Sequence, residues 1–230
     1  MEWYEEMDFD ENPLKNETKS VGNEDVLKEA YYSILSGNIL DLEGEEGTGK
    51  SKILREVIHQ FGGNGRIAYI PCKTLQRELN IESILVKKNG ILGMLFKRYP
   101  RNMILLLDDV EHLSTKNMER IKYFFDSNHL KAIILSTKSF EKLNLSESVK
   151  QRIRKVSKLR PLSEFEAVQI FRDKVGDSVL TDRIIKIIYQ LSGKNIQKFL
   201  NNCEHVCKAF VTNKNLSEDD VRKILERGVK

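Results

Sequence analysis

The sequence predicts an α/β fold in which a five-stranded parallel sheet is flanked by helices and followed by a small all-helical lid. Three observations predict it. Short apolar runs of strand type at 39–42, 66–70, 103–107, 132–135 and 153–156 alternate with helical stretches, the pattern of strands joined by crossover helices. A glycine-rich turn follows the first run. Beyond Pro161 no strand-like run recurs, and apolar residues fall only at helical spacing.

In chain order, residues 1–22 form an acidic N-terminal segment. Its first twelve residues hold six acids and no base, so the rest of the chain carries +10 of the formal net charge of +4. Trp3, Tyr4 and Phe9 lie among these acids, a composition that fits a partner-binding arm, a segment folded back on the body, or a frayed terminus. Asn23 is placed to cap a helix striped by Leu27, Ala30, Tyr31 and Ile34 and closed by Gly37. The strand runs and their helices make a core domain over 23–160, with a helix at 51–61 after the glycine-rich turn. Residues 161–230 make the helical lid. Ser163 and Glu166 form a capping box before its first helix. Ile184, Ile185, Ile187, Ile188 and Leu191 stripe a second, and Ile196, Phe199, Leu200, Cys203, Val206, Cys207 and Phe210 a third. Ser217 caps a fourth running to about Gly228.

Composition narrows the function classes. With 40% hydrophobic and 31% charged residues the chain is neither fibrous nor disordered as a whole. Its apolar runs fall far short of the roughly 18 to 20 residues needed to span a bilayer, and its acidic start is no secretory leader. Three cysteines make no disulfide framework, which fits a reducing, cytoplasmic setting. Cys203 and Cys207 fall on the apolar stripe of their helix while His205 points away, so no metal site is expected there.

Gly44-Glu45-Glu46-Gly47-Thr48-Gly49-Lys50-Ser51 matches G-x-x-x-x-G-K-[ST] at every required position, after a strand and before a helix. That context presents backbone N–H groups and a helix N-terminus to an anion. Gly44, Gly47, Thr48 and Gly49 would wrap the phosphates of ATP or ADP, Lys50 would sit at the β- and γ-phosphates, and Ser51 would hold Mg²⁺. The run Ile104-Leu105-Leu106-Leu107-Asp108-Asp109 is an apolar strand ending in two carboxylates. Asp108 would hold the magnesium through water, and Asp109 would act as the base that orients the attacking water. Ser136-Thr137 ends the next strand, where Thr137 is expected to reach the γ-phosphate. Lys150, Arg152, Arg154, Lys155, Lys158 and Arg160 put six bases in eleven residues. Such a run can be a solvated face, a patch for nucleic-acid phosphates, or the source of an arginine reaching a neighbouring subunit's nucleotide. Alternation around Ile153 would put Arg152 and Arg154 on one side of a strand.

Together these motifs resemble the AAA+ ATPases, and within them the group of the Orc1/Cdc6-type, ExeA and TniB/TnsC ATPases. The stretch 105–113, Leu-Leu-Leu-Asp-Asp-Val-Glu-His-Leu, is similar to the group's Walker B segment, and Ser136-Thr137 to its sensor 1. Gln151-Arg152-Ile153 matches the arginine-finger region, and Leu159-Arg160-Pro161-Leu162-Ser163 resembles the entry into the lid. The stretch 191–198 resembles the sensor 2 segment, with Gln197 at the usual arginine and Lys198 beside it to take the contact. No winged-helix domain follows the lid within these residues. The resemblance implies ATP hydrolysis with Mg²⁺ and self-association, or pairing with a partner ATPase, through the Arg152 region. It implies a task in loading, recruiting or remodelling a DNA-processing complex, with DNA contact through the basic surface.

Overall fold

Runs rich in isoleucine and leucine, whose side chains pack well on a pleated surface, form β1 (Ile39–Glu43), β2 (Ile67–Pro71), β3 (Met103–Asp108), β4 (Leu130–Thr137) and β5 (Ile153–Lys158). They make one sheet in the order β2-β3-β4-β1-β5, with every neighbouring pair parallel. The structure, a computed structural model, describes residues 2–18, 20–62, 65–74, 79–88 and 99–227. Helix α1 (Glu24–Ser36) precedes β1, and between the strands run α2 (Lys50–Phe61), α3 (Ile81–Lys88), α4 (Thr115–Asp126) and the four-residue α5 (Glu147–Lys150). This is the fold of the P-loop NTPases. The chain divides into two compact units, one of Asn23–Glu45 and Gly49–Leu159, the other of Met1–Gly22, Glu46–Thr48 and Arg160–Lys230.

In the sheet unit both faces are covered, so β3 is buried along its whole length. Successive side chains feed opposite cores. Leu40, Leu42, Ile104, Leu106 and Ile134 pack with Ala30 and Ile34 of α1 and with Ile53 and Leu54 of α2. Ile39, Leu105, Leu107, Ile133 and Leu135 pack with Leu85 of α3 and with Met118, Ile121 and Phe124 of α4. Strands β1, β3 and β4 run on past their apolar residues to Glu43, Asp108 and Thr137, because the backbone ladder continues where the side chains turn polar. In β5 the register against β1 slips, so that Ile39 and Leu40 oppose Ile153 and Lys155. Arg154 is the extra residue of a bulge, and the simple alternation expected around Ile153 is broken there.

The other unit is built on α6 (Glu164–Val175), α7 (Asp182–Leu191), α8 (Ile196–Thr212) and α9 (Glu218–Arg227); Gly228 lies outside the described residues. Both hydrogen bonds of the Ser163/Glu166 capping box are present. Arg160 adds two more to the Glu166 carboxylate, at 2.6 and 2.8 Å, and holds its pKa down at about 2. Phe171, Ile185, Ile188, Tyr189, Phe199 and Val206 form the core. Trp3 and Leu14 are buried in it, each 4% exposed, with Tyr4, Met7 and Phe9 packed against it. Of the three readings of the N-terminal aromatics, the structure shows folding back, onto the core of this unit. Cys203 and Cys207 are buried in this core, where desolvation pushes the Cys207 thiol up to about 12, while His205 is exposed. Among the described residues no helix is long and apolar enough to cross a membrane.

Candidate nucleotide-binding site

The glycine-rich turn leaves β1 and enters α2 at Lys50. Its start is tied to β4 by the Gly44 N–H, which donates to the Thr137 carbonyl at 3.0 Å. Gly47 and Gly49 have φ of 84° and 102°, a region that costs residues with a Cβ strain. The loop tip Glu46–Thr48 clusters with the helical unit. Within that unit a Cβ on Gly47 would lie 2.2 Å from Asn195 Cγ. Asn195 Nδ2 donates to the Glu46 carbonyl at 3.0 Å, and the Ile196 N–H donates to the Gly47 carbonyl at 3.1 Å. The sequence marks Asn195 only by its position as N-cap of α8, where it accepts from the Lys198 N–H.

Lys50 is buried to 6% exposure, and its ammonium donates to the carbonyls of Gly44 at 2.5 Å and Glu45 at 3.1 Å. Burial lowers its pKa, while the charges of Asp109, Glu111 and Asp108 oppose that shift. Ser51 follows in the first turn of α2, half-buried.

Asp108 ends β3 on the face that carries Ile104 and Leu106, the face covered by α2. Ser136 shares that face with Ala132 and Ile134, and its hydroxyl donates to Asp108 Oδ1. Tyr69 Oη donates to Asp108 Oδ2 at 2.9 Å. The Asp109 N–H donates to Ser136 Oγ at 2.9 Å, and Asp109 itself sits at φ 56° and ψ 58°. A non-glycine residue in this region stores strain, a feature that gathers at functional sites. Burial, then the neighbouring Asp108 charge, push the Asp109 carboxyl pKa up.

The expectation that Thr137 reaches the γ-phosphate is corrected by the sheet's pleat. Thr137 follows Ser136 by one residue and therefore points to the opposite face, where its hydroxyl donates to Asp41 Oδ2 at 2.9 Å. Ser136 is the residue that meets the acids. Asp41 is fully buried, and desolvation pushes its pKa up to about 7 against the opposing hydrogen bond from Thr137. Its Oδ1 has no hydrogen-bond partner among the described residues.

Arg152 lies in the turn before β5, exposed, and Nε donates to Asp126 Oδ1 of α4 at 2.8 Å. The rest of the basic run is also largely matched by acids. Lys155 pairs with Glu29 at 2.8 Å, Lys158 with Glu43 at 3.2 Å, Arg160 with Glu166, and Lys150 sits 3.9 Å from Glu147. Among the described residues Arg154 alone of the six has no ion pair. The acids come from elsewhere in the chain, so the run is far less cationic in the fold than in the sequence. Lys198 is exposed in the first turn of α8, as is Gln197.

A buried lysine over a glycine-rich turn at a helix N-terminus, with a strand-end acid on the same sheet face, defines a nucleotide-binding P-loop protein. A family model described as AAA domain matches residues 36–168, and the chain belongs to that family. An uncharacterized ABC transporter ATP-binding protein of Methanocaldococcus jannaschii is 24% identical over 150 residues, 57% of each chain. The chain spans little more than half the length of the curated relatives it matches. Among solved structures it is similar to Cdc6p of Pyrobaculum aerophilum, with TM-score 0.73 and 17% identity over 95% of this chain and 71% of that one. The Aeropyrum pernix ORC1 protein, in complex with DNA, gives 0.74 and 13% over 94% and 68%. Domain III of the Thermotoga maritima replication initiation protein DnaA gives 0.67 and 20% over 93% and 95%. At these identities the likeness is one of fold.

Proposed function

We propose that this protein is a cytoplasmic AAA+ ATPase that binds ATP and hydrolyses it to ADP and phosphate. The observation that carries the reading is that the buried Lys50 ammonium feels the charges of Asp109 and Asp108 while Ser136 hydrogen-bonds to both acids, with Ser51 next to Lys50 in the first turn of α2. The loop's N–H groups and the Lys50 ammonium bind the phosphates. A hydroxyl and a carboxylate, Ser51 and Asp108, are the hard oxygen donors that suit Mg²⁺, so the residues present fit that ion. Bound Mg²⁺ would supply charge neutralisation at the β- and γ-phosphate oxygens. Asp109 holds the attacking water and accepts its proton; its raised pKa strengthens it as an acceptor once ionised. Ser136 orients both acids, accepting from the Asp109 N–H and donating to Asp108. Arg152 acts in trans: on association of subunits its guanidinium leaves Asp126, an exposed pairing that solvent and salt already weaken, and meets a neighbour's γ-phosphate.

The task is to load, recruit or remodel a DNA-processing complex, as in the Orc1/Cdc6, ExeA and TniB/TnsC group. The fold likeness to a replication initiation protein and to a protein in complex with DNA supports it. DNA contact through the basic surface would centre on Arg154. A second reading, an ATP-gated binding module with negligible hydrolysis, is favoured by Gln197 in the place of an arginine and by Thr137 facing away from the acids. Single-turnover hydrolysis of ATP with and without DNA separates the two. Release of phosphate supports the ATPase; retained ATP binding with no turnover under any condition overturns it in favour of the module.

A further inference from the structure

On the sheet face that carries Asp108, hydrogen bonds form a row across three adjacent strands. Tyr69 of β2 donates to Asp108 Oδ2 of β3 at 2.9 Å, and Ser136 of β4 donates to Oδ1. The register explains how Tyr69 arrives there. Pro71 opposes Asp108 and Tyr69 opposes Leu106, so Tyr69 sits two residues back on the same face, a distance its long side chain spans. The phenol contributes little to the apolar core, being 39% exposed at an outer strand. A β-branched residue there would cover the same sheet surface without reaching the carboxylate.

A carboxylate offers about four lone-pair positions. Two donors, one on each oxygen, hold the Asp108 carboxylate in one orientation and leave one position on each oxygen for further partners. Partners of this kind tune metal affinity by orienting the ligand, and losing one costs about 10- to 100-fold.

We propose that Tyr69 is a positioning residue that orients Asp108 for Mg²⁺ in the nucleotide complex. The role rests on the proposed assignment of Asp108 to the metal. The test is equilibrium titration of the full chain with a fluorescent ATP analogue, in EDTA and over a series of Mg²⁺ concentrations, for wild type and Tyr69→Phe. Phenylalanine keeps the ring and removes only the donor. Expected is about a tenfold rise in the Mg²⁺ concentration that half-maximally tightens nucleotide binding, with affinity in EDTA and thermal midpoint within error of wild type. A purely structural tyrosine would instead lower the thermal midpoint and leave the Mg²⁺ half-point where it was, and that result overturns the proposal. A wild-type protein that binds nucleotide without regard to Mg²⁺ overturns the metal assignment and this role with it. A wild type that responds to Mg²⁺ beside a variant with the same half-point overturns the role of Tyr69 alone.

Discussion

Lys50 makes its two hydrogen bonds to the loop's own carbonyls from a site only 6% exposed. Its charge is therefore held where phosphates would lie, and its loss removes charge-assisted bonds worth about 1.5–3 kcal/mol each. Lys50→Ala should weaken ATP binding by at least about a hundredfold with an unchanged circular dichroism spectrum; titration with a fluorescent nucleotide measures it. Asp41 makes a pH prediction. Its folded pKa of about 7 lies above the ordinary 3.8, so between these values the folded state holds a proton that the unfolded state has released. Stability contributed by this group is present in full below about pH 4 and is lost as pH rises through 7, by up to about 4 kcal/mol. Asp41→Asn should melt at the wild-type temperature near pH 4 and several degrees higher at pH 8. Equal melting temperatures at pH 8 would refute a buried, titrating Asp41.

At the scale of elements, the helix starts carry much of the local order. Ser163 closes a reciprocal box with Glu166 at the head of α6, and Ser163→Ala should cost about 1 kcal/mol, read from urea denaturation. The loop before β5 tests assembly. Arg152 is exposed and, among the described residues, its side chain pairs with Asp126, so Arg152→Ala should leave a monomeric preparation unchanged and slow hydrolysis in assemblies by about a thousandfold, the scale of an arginine acting in trans. An equal loss in monomers would place its role in cis. Arg152 lies in the turn before β5 and Arg154 is the extra residue of the bulge, so regular strand alternation does not relate the two although they stand two residues apart in the sequence.

At the scale of the molecule, the N-terminal segment is part of a core. Trp3 is 4% exposed among the side chains of the helical unit, and Trp3→Ala should destabilise by about 3 kcal/mol or more, measured by guanidinium unfolding. A change under 0.5 kcal/mol would return the segment to a loose arm. The five strands, the phosphate loop and Asp108 with Asp109 were legible in the sequence because each is written in contiguous residues: an apolar run, a glycine spacing, acids at a strand's end. The same locality made the Ser163/Glu166 box legible. Helix α4 and the partners of the basic run were not, since a helix between two strands shows its apolar face only against the sheet it covers, and Asp126 or Glu29 reaches its base from far along the chain. By itself, then, the sequence determined the sheet, the loop and the acids. Tertiary structure alone decided that Ser136 meets the acids in place of Thr137, that Tyr69 holds Asp108, and that Trp3 is core. The physical reason is that strand pleat and register set which side chains share a face, and both are properties of strands brought together, not of any one run of residues.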